Sequence, residues 1–146
     1  MKAAIVYYSV HHENTKKLVD AIAAKHEVTL INAAEVTEAE LGGYDMVGFA
    51  SGIYYSKFDK AVIKLAQDAL PEGAKVFLLY TFGAKSDRYT KAIREALKAK
   101  NADVLGEYGC FGYDSYGPFK LVGGVAKGHP EPSEIEGAVS FYESLI

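Results

Sequence analysis

The sequence predicts an α/β fold in which a parallel β-sheet is covered by helices on both faces. Short apolar runs alternate with amphipathic segments five times along the chain. With 146 residues, the chain has the length of one domain, and roughly 70% of the surface of an unfolded chain of this size can be buried. We therefore expect a single domain over residues 1–146, with right-handed crossovers between neighbouring parallel strands.

The first half of the chain contains three predicted strands and one clear helix. Residues 3–8 are nearly all apolar, which is typical of a parallel strand buried on both faces. Residues 14–25 have apolar side chains at helical spacing, with charged residues between them. Shorter apolar runs at 28–31 and 46–50 predict the second and third strands. The sequence Thr-Glu-Ala-Glu at 37–40 predicts a capping box that opens one brief helical turn.

The second half of the chain continues the alternation. Apolar residues fall on one face of a predicted helix between 58 and 69, and residues 76–80 form the most apolar strand. A further helix around 92–97 precedes a fifth strand at 103–111, which two glycines interrupt.

The last helix and the loops complete the predicted fold. Ser133 and Glu136 have the spacing of a capping box at the start of that helix. In sheets of this type, ligands bind beyond the carboxyl ends of the strands, where the strand order reverses. Function is therefore expected in the loops that follow the strands, at residues 9–14, 51–57, 81–89 and 112–132.

Composition and charge exclude several classes of protein. With 49% apolar and 24% charged residues, the chain is neither disordered nor fibrous. The net charge of −3 argues against a nucleic-acid partner that is held by neutralisation of its many phosphates. The single cysteine, Cys110, cannot form an internal disulfide and is expected to be a small buried residue. No stretch approaches the roughly 20 apolar residues of a membrane span, and the first residues lack a signal-peptide pattern, so we expect a cytoplasmic protein.

Polar side chains crowd the loop between the first strand and the first helix. Ser9, Asn14 and Thr15 lie beside a predicted helix N-terminus, where exposed amides and the helix dipole favour an anion such as a phosphate monoester. His11 and His12 can donate to the same anion. No third metal ligand lies near them at suitable spacing, so no metal site is expected. The loop has neither a Walker sequence nor GxGxxG. The alternative is that Ser9 or Asn14 only caps the helix.

Aromatic residues mark the loop after the third strand. Gly52 permits a ligand to approach the backbone closely. Tyr54 and Tyr55 are consecutive, so only one of them can face the interior of a regular element. They predict either an ordinary turn or a flat aromatic cover for a ring-shaped ligand. Because the chain has 11 tyrosines and no tryptophan, such stacking must come from Tyr or Phe.

A resemblance to a known family becomes specific at the first loop. The sequence Tyr-Ser-x-His-His-x-Asn-Thr-Lys at 8–16, between a strand and an amphipathic helix, resembles the FMN phosphate loop of flavodoxins. The resemblance extends over nearly the whole chain. It implies a flavodoxin-like three-layer α/β/α sandwich whose five-stranded parallel sheet has the order 2-1-3-4-5. It also implies that FMN is the cofactor, with its phosphate contacted by Ser9, His11, His12, Asn14 and Thr15.

The other ligand loops of flavodoxins have counterparts in this chain. The loop after the third strand covers one face of the flavin with an aromatic, for which Tyr54 is the first choice and Tyr55 the second. The loop after the fourth strand binds the pyrimidine edge of the ring and often supplies an aromatic for the other face. The resemblance implies flavin contacts by Ser51, Gly52, Ile53, Tyr54, Tyr55, Thr81, Phe82, Gly83, Tyr89 and Tyr116.

Three positions depart from the flavodoxin pattern. Glu13 stands where many members have Gly, and we expect its carboxylate to point outward, because an inward carboxylate would repel the phosphate. Electron-carrier flavodoxins often have Gly beside the flavin N5, where a peptide rotation stabilises the half-reduced flavin, whereas Tyr and Ser follow Ile53 here. Lys57 would raise the reduction potential if it reaches the flavin. Otherwise it is solvated at the start of the next helix.

The resemblance implies a one-electron carrier between redox partner proteins, with the flavin performing the chemistry. The alternative is an FMN-dependent oxidoreductase on the same fold, such as a quinone reductase or a protoporphyrinogen-oxidase-like flavoprotein. The small net charge of −3 gives that alternative some weight, because low-potential flavodoxins are strongly acidic. A flavodoxin-like domain without cofactor also stays open, mainly because of Glu13. We expect no nucleic-acid partner, no membrane span, and a monomer or weak homodimer.

Overall fold

A parallel sheet with one short antiparallel strand at its carboxyl edge forms the centre of the fold. The computed structural model describes residues 1–10, 13–113 and 126–146. The parallel strands lie in the order β2-β1-β3-β5-β6, and β4 pairs antiparallel with β3. Counted without β4, this is the predicted order 2-1-3-4-5. In chain order the elements are β1 (Ala3–Tyr8), α1 (Asn14–Lys25), β2 (Val28–Asn32), β3 (Met46–Tyr54), β4 (Lys57–Phe58), α2 (Lys60–Ala69), β5 (Lys75–Phe82), α3 (Lys91–Ala99), β6 (Asp103–Phe111) and α4 (Pro132–Leu145).

Helices cover both faces of this sheet, which confirms the three-layer prediction. α2 and α3 pack on one face, where Phe49 and Leu78 are fully buried. α1 and α4 pack on the other face, against Ile5 and Phe77. The central strands are apolar along their length because both of their faces are buried. Among the described helices, the longest is α4, with 14 residues, and none is long and apolar enough to cross a bilayer.

The β3–β4 hairpin was not predicted, and the assignment of Lys57 and Phe58 to the start of a helix is wrong. β3 continues to Tyr54, and the chain then reverses at Tyr55 and Ser56, whose φ angles are 51° and 66°. Two residues with positive φ form the tight turn that suits a two-residue hairpin loop. Phe58 pairs with Ile53 and is fully buried, so the apolar residue that suggested a helix face belongs to β4.

The predicted helical turn at 37–40 is also wrong. These residues lie in an extended connection and most of them are exposed. The turn comes earlier, where the Asn32 side chain accepts a hydrogen bond from the amide of Ala34 at 2.9 Å. A four-residue segment without a buried apolar face has nothing to stabilise a helix. The chain is held instead by Leu41, which is 1% exposed.

The capping box of the last helix lies two residues earlier than predicted. Glu131, not Ser133, is the N-cap, and its reciprocal partner is Glu134 instead of Glu136. The amide of Glu131 donates to the Glu134 carboxylate at 2.8 Å. Pro132 occupies the first helical position, where its fixed φ and missing N–H are favourable.

Two glycines do not interrupt β6, because each makes room for an aromatic ring. A Cβ on Gly109 would lie 2.4 Å from the ring of Tyr80 on β5. A Cβ on Gly106 would lie 3.1 Å from the ring of Phe141 on α4. The strand therefore extends over the predicted residues, although its pairing with β5 skips Leu105 directly before Gly106.

Burial raises the pKa of three side chains in this region: Cys110, Tyr80 and Tyr108. Desolvation raises the pKa of the Cys110 thiol to about 12, with a further contribution from Glu134. Desolvation and a hydrogen bond to Glu107 raise the pKa of Tyr80 to about 12. Cys110 is 5% exposed, as expected for a small buried residue, so its thiol stays neutral and unreactive in the folded state.

The raised pKa values of Cys110 and Tyr80 predict a loss of stability in alkali. The unfolded chain releases these protons near the ordinary pKa values of 9.0 and 10.0, whereas the folded chain keeps them to about pH 12. The unfolded state therefore gains relative stability as the pH rises from about 9 towards 12. We expect urea midpoints to fall across that range, and Cys110→Ala to make the first part of the fall shallower. Equal slopes in the two proteins would contradict this assignment.

Candidate functional site

A narrow cleft that is open to solvent lies at the carboxyl edge of the sheet. It is formed where the ends of β1, β3, β5 and β6 meet, as expected for a sheet whose strand order reverses between β1 and β3. Nine of the predicted site residues line it, although they come from three separate loops. They are Ser9, Asn14, Thr15, Gly52, Ile53, Tyr54, Thr81, Phe82 and Gly83. Their contacts with a ligand stay predictions.

The first loop supplies the polar end of the cleft. The Ser9 hydroxyl accepts a hydrogen bond from the amide of Lys16 at 3.1 Å, so Ser9 does satisfy one free amide of α1. Glu13 is the N-cap, with φ of 50°, and its exposed side chain agrees with the expectation that its carboxylate points outward. His11 and His12 lie outside the described residues, as does Tyr116 in the long loop.

Asn14 is the one buried polar side chain of the cleft with an unused hydrogen-bonding atom among the described residues. It is 8% exposed, and its Nδ2 donates to the carbonyl oxygen of Tyr113 at 2.6 Å. Its Oδ1 accepts no hydrogen bond from the part of the chain that the structure describes. A buried acceptor without a donor costs about 1–3 kcal/mol. Asn14 therefore does not simply cap the helix.

Two threonines join the first loop to the loop after β5. The hydroxyl oxygens of Thr15 and Thr81 lie 2.9 Å apart, and the side chains are 0% and 3% exposed. One hydroxyl donates to the other, which leaves the acceptor's own proton available within the cleft. The contact ties the N-terminus of α1 to the end of β5.

Tyr54 closes one side of the cleft. Its hydroxyl accepts a hydrogen bond from the amide of Val10 at 3.2 Å and lies 3.4 Å from the carbonyl oxygen of the same residue. Its ring meets Tyr8 edge to face, with centroids 5.8 Å apart at an interplanar angle of 88°. A Cβ on Gly52 would lie 2.7 Å from the Tyr54 hydroxyl oxygen, so glycine is required for this approach.

Three other predicted residues lie off the lining. Ser51 is fully buried beneath the hairpin, where its hydroxyl donates to the Gly52 carbonyl at 2.5 Å and accepts from the Asp59 amide at 2.9 Å. Tyr55, at the tip of the hairpin, is 76% exposed. The Tyr89 hydroxyl donates to the Ala84 carbonyl, and its ring centroid lies 5.9 Å from that of Phe82.

Three residues of the lining were not among the predicted site residues: Val10, Gly112 and Tyr113. A Cβ on Gly112 would come within 2.9 Å of the Asn14 side chain, so this glycine allows the last strand to approach the first loop. The position of Gly112 could have indicated its role, because this residue directly follows the carboxyl end of β6, where ligand loops begin. Its partner Asn14 could not be inferred from spacing, since the two are far apart in sequence.

The lining carries no charged side chain among the described residues, so an anion in this cleft would meet amides and hydroxyls. The sequence profile of the flavodoxin domain family matches residues 5–120. The chain belongs to the flavodoxin family. Flavodoxins are FMN-binding electron carriers.

The flavodoxin assignment agrees with comparisons to individual proteins. An uncharacterized protein of Methanocaldococcus jannaschii is 37% identical over 148 residues, which cover 100% of this flavodoxin and 99% of that relative. Oxidised flavodoxin 1 of Bacillus cereus has a similar fold, with a TM-score of 0.66 and 17% identity over 97% of this chain and 94% of that one. The rubredoxin:oxygen oxidoreductase of Desulfovibrio gigas gives a TM-score of 0.68 and 16% identity over 97% of this chain and 34% of that one.

Proposed function

We propose that this flavodoxin binds FMN in the cleft at the carboxyl edge of the sheet and carries single electrons between redox partner proteins. The observation that carries the proposal is the buried Asn14 Oδ1, an acceptor without a donor among the described residues, at the N-terminus of α1. The hydroxyl groups of a ribityl chain are donors of the kind that this oxygen requires. The bound flavin would supply the one-electron redox chemistry.

The residues of the first loop suit the phosphate end of FMN. Amides at the start of α1 and the hydroxyls of Ser9 and Thr15 offer donors to an anion, and the helix dipole favours negative charge there. Glu13 is exposed, which supports the expectation that its carboxylate points away from a phosphate in the cleft. The donor set therefore fits a phosphate monoester without a basic side chain.

The residues of the other two loops suit the ring. Tyr54 is held by Val10 and Tyr8, so its aromatic face is fixed before a ligand arrives. Residues 81–83 present backbone and aromatic surface on the opposite side of the lining. A fixed wall loses little conformational freedom on binding, which favours affinity.

The proposal is tested by purification, an absorption spectrum and a redox titration. Flavin absorption bands, or their appearance after FMN is added to the apoprotein, are expected. Two well-separated one-electron steps would support the electron carrier. A protein with neither flavin bands nor FMN uptake would overturn FMN binding altogether.

The FMN-dependent oxidoreductase remains the second candidate, and one observation favours it. The backbone around Tyr55 and Ser56 is fixed on both sides by the ladder pairs of the β3–β4 hairpin. A loop held in this way is less free to rotate a peptide when the flavin is reduced, so a single two-electron step in the titration would favour the oxidoreductase.

Tyr54 and Tyr55 can be distinguished by matched substitutions. We expect Tyr54→Leu to weaken FMN binding about three- to tenfold, because stacking of an aromatic side chain is worth about 0.5–1.5 kcal/mol beyond its area. Tyr55→Leu, at the exposed tip of the same hairpin, should leave the dissociation constant within twofold. Quenching of FMN fluorescence measures both constants. Equal losses in the two variants would contradict a stacking role for Tyr54.

A further inference from the structure

Five exposed cations lie on two segments that adjoin the β3 and β5 parts of the cleft. The hairpin and the start of α2 carry Lys57 and Lys60, and the loop after β5 with the start of α3 carries Lys85, Arg88 and Lys91. We call these five residues the basic rim. Within the described ranges, none of the five forms an ion pair. Two acidic residues, Asp59 and Asp87, share these segments, so the rim is positive in a chain of net charge −3.

The two halves of the basic rim lie close to each other and to the cleft. Lys57 and Lys60 line a surface groove together with Ala92 and Glu95 of α3. Glu95, across that groove, forms no ion pair within the described ranges. Lys57 is paired in the hairpin with Tyr54, which lines the cleft. The hairpin part of the rim is thus joined to the cleft through Tyr54, and the other part follows Gly83 of the lining along the chain.

The rim cations stand where they oppose local helix stability. Lys60 and Lys91 are the first residues of α2 and α3, and neither helix has an acidic residue in its first turn. A cation at the positive end of a helix is unfavourable by about 0.3–1 kcal/mol. α1 also lacks an acidic residue in its first turn, and among the described helices α4 has one, Glu134. Asp59, the N-cap of α2, offsets part of the cost at Lys60, whereas the N-cap of α3 is the neutral Thr90. Helix formation does not favour these lysines, which leaves their charge available to a partner.

Apolar surface lies beside the basic rim. Tyr55, at the tip of the hairpin, is 76% exposed, and Val10 at the cleft is 41% exposed. An apolar centre with a charged border is the usual composition of a protein–protein interface, and tyrosine is common among its anchors.

We propose that the basic rim docks the acidic face of a redox partner protein, with Tyr55 inserted at the centre of the contact. The inference rests on the proposed electron-transfer function. Complementary charge would steer an acid-rich surface to the cleft mouth and raise the association rate. The partner is thus defined by carboxylates that surround its own electron-transfer site.

The test compares two charge-neutralised variants of the FMN-loaded protein. Lys85→Gln/Arg88→Gln removes two rim charges, and Lys25→Gln/Lys98→Gln removes two exposed charges from the last turns of α1 and α3, at the opposite edge of the sheet. The reduced protein is mixed in stopped flow with ferricyanide, an anionic oxidant, and with hexaammineruthenium(III), a cationic one. At an ionic strength of about 0.01 M, the rim variant should react with ferricyanide about three- to tenfold more slowly than wild type, and added salt should remove the difference.

The outcomes separate this inference from the proposed function. If the control variant slows as much as the rim variant, or if the rim variant reacts with ferricyanide as fast as wild type at low ionic strength, the docking surface is overturned. If the protein takes up no FMN, the proposed electron-carrier function is rejected. The docking role of the basic rim is then tested separately, by NMR titration of the same protein with a decaglutamate peptide. Shifts of amides at 55–60 and 83–91 that are lost in the rim variant support docking, and shifts elsewhere or none overturn it.

Discussion

Replacing Asn14 with alanine is expected to lower the affinity for FMN by about 10- to 100-fold. The change removes the buried Oδ1, which would accept from the ligand, and the Nδ2 bond that fixes the Tyr113 carbonyl at the cleft. Each hydrogen bond contributes about 0.5–1.5 kcal/mol, so two of them account for the expected loss. The dissociation constant is measured by quenching of FMN fluorescence on addition of apoprotein.

Asn101 provides the matched control for this prediction. Its side-chain amide also makes one hydrogen bond, to Glu72 at 2.7 Å, but at the other end of the sheet. Because its φ is 51°, glycine is the suitable replacement. Asn101→Gly should bind FMN as wild type does. If Asn14→Ala binds FMN with wild-type affinity, the Oδ1 atom of Asn14 has no part in the site.

Gly48→Ala is expected to lower the free energy of unfolding by about 1–3 kcal/mol. Gly48 in β3 pairs with Phe77 in β5, and an added Cβ would lie 2.3–2.9 Å from three atoms of that ring. Phe77 is fully buried between Phe141 and Tyr142, so it has little room to move. Thermal unfolding should show a midpoint about 3–10 °C lower.

Two further variants make the stability prediction specific. Gly43→Ala adds the same methyl group where the nearest atom, Lys2 Nζ, is 3.7 Å away, and should leave the midpoint nearly unchanged. The variant that combines Gly48→Ala with Phe77→Leu should lose less stability than the two single variants lose together, because leucine is narrower than the ring it replaces. If the double variant is less stable than the sum of the single effects predicts, ring crowding is not the cause.

The apolar strands were predictable because a strand that is buried on both faces has a nearly continuous run of apolar residues in the sequence. β1 and α1 have the predicted bounds. The β3–β4 hairpin was not predictable in the same way, because its turn uses Tyr55 and Ser56 where glycine or asparagine would signal positive φ. For the last helix, two pairs of residues had capping-box spacing, and Pro132 at the first helical position was the signal that could have decided between them.

The site was predictable to the extent that topology determines it. Loops that follow parallel strands meet at one edge, and this rule, together with the resemblance to flavodoxins, placed nine predicted residues at the cleft. The rule does not say which way a hydroxyl points. Ser9 faces the cleft while also satisfying a helix amide, whereas Ser51 is turned beneath the hairpin by its bond to Asp59. Such differences depend on pairing between residues distant in sequence.

The contact between Thr15 and Thr81 has a consequence for the dynamics of the protein. These residues are 66 positions apart, and their hydroxyl pair links the start of α1 to the end of β5, so we expect the two ends to open together as one unit. A ligand that binds only the folded form of this unit stabilises all of it. Amide hydrogen exchange should therefore slow at both ends of the cleft when inorganic phosphate alone occupies the α1 end.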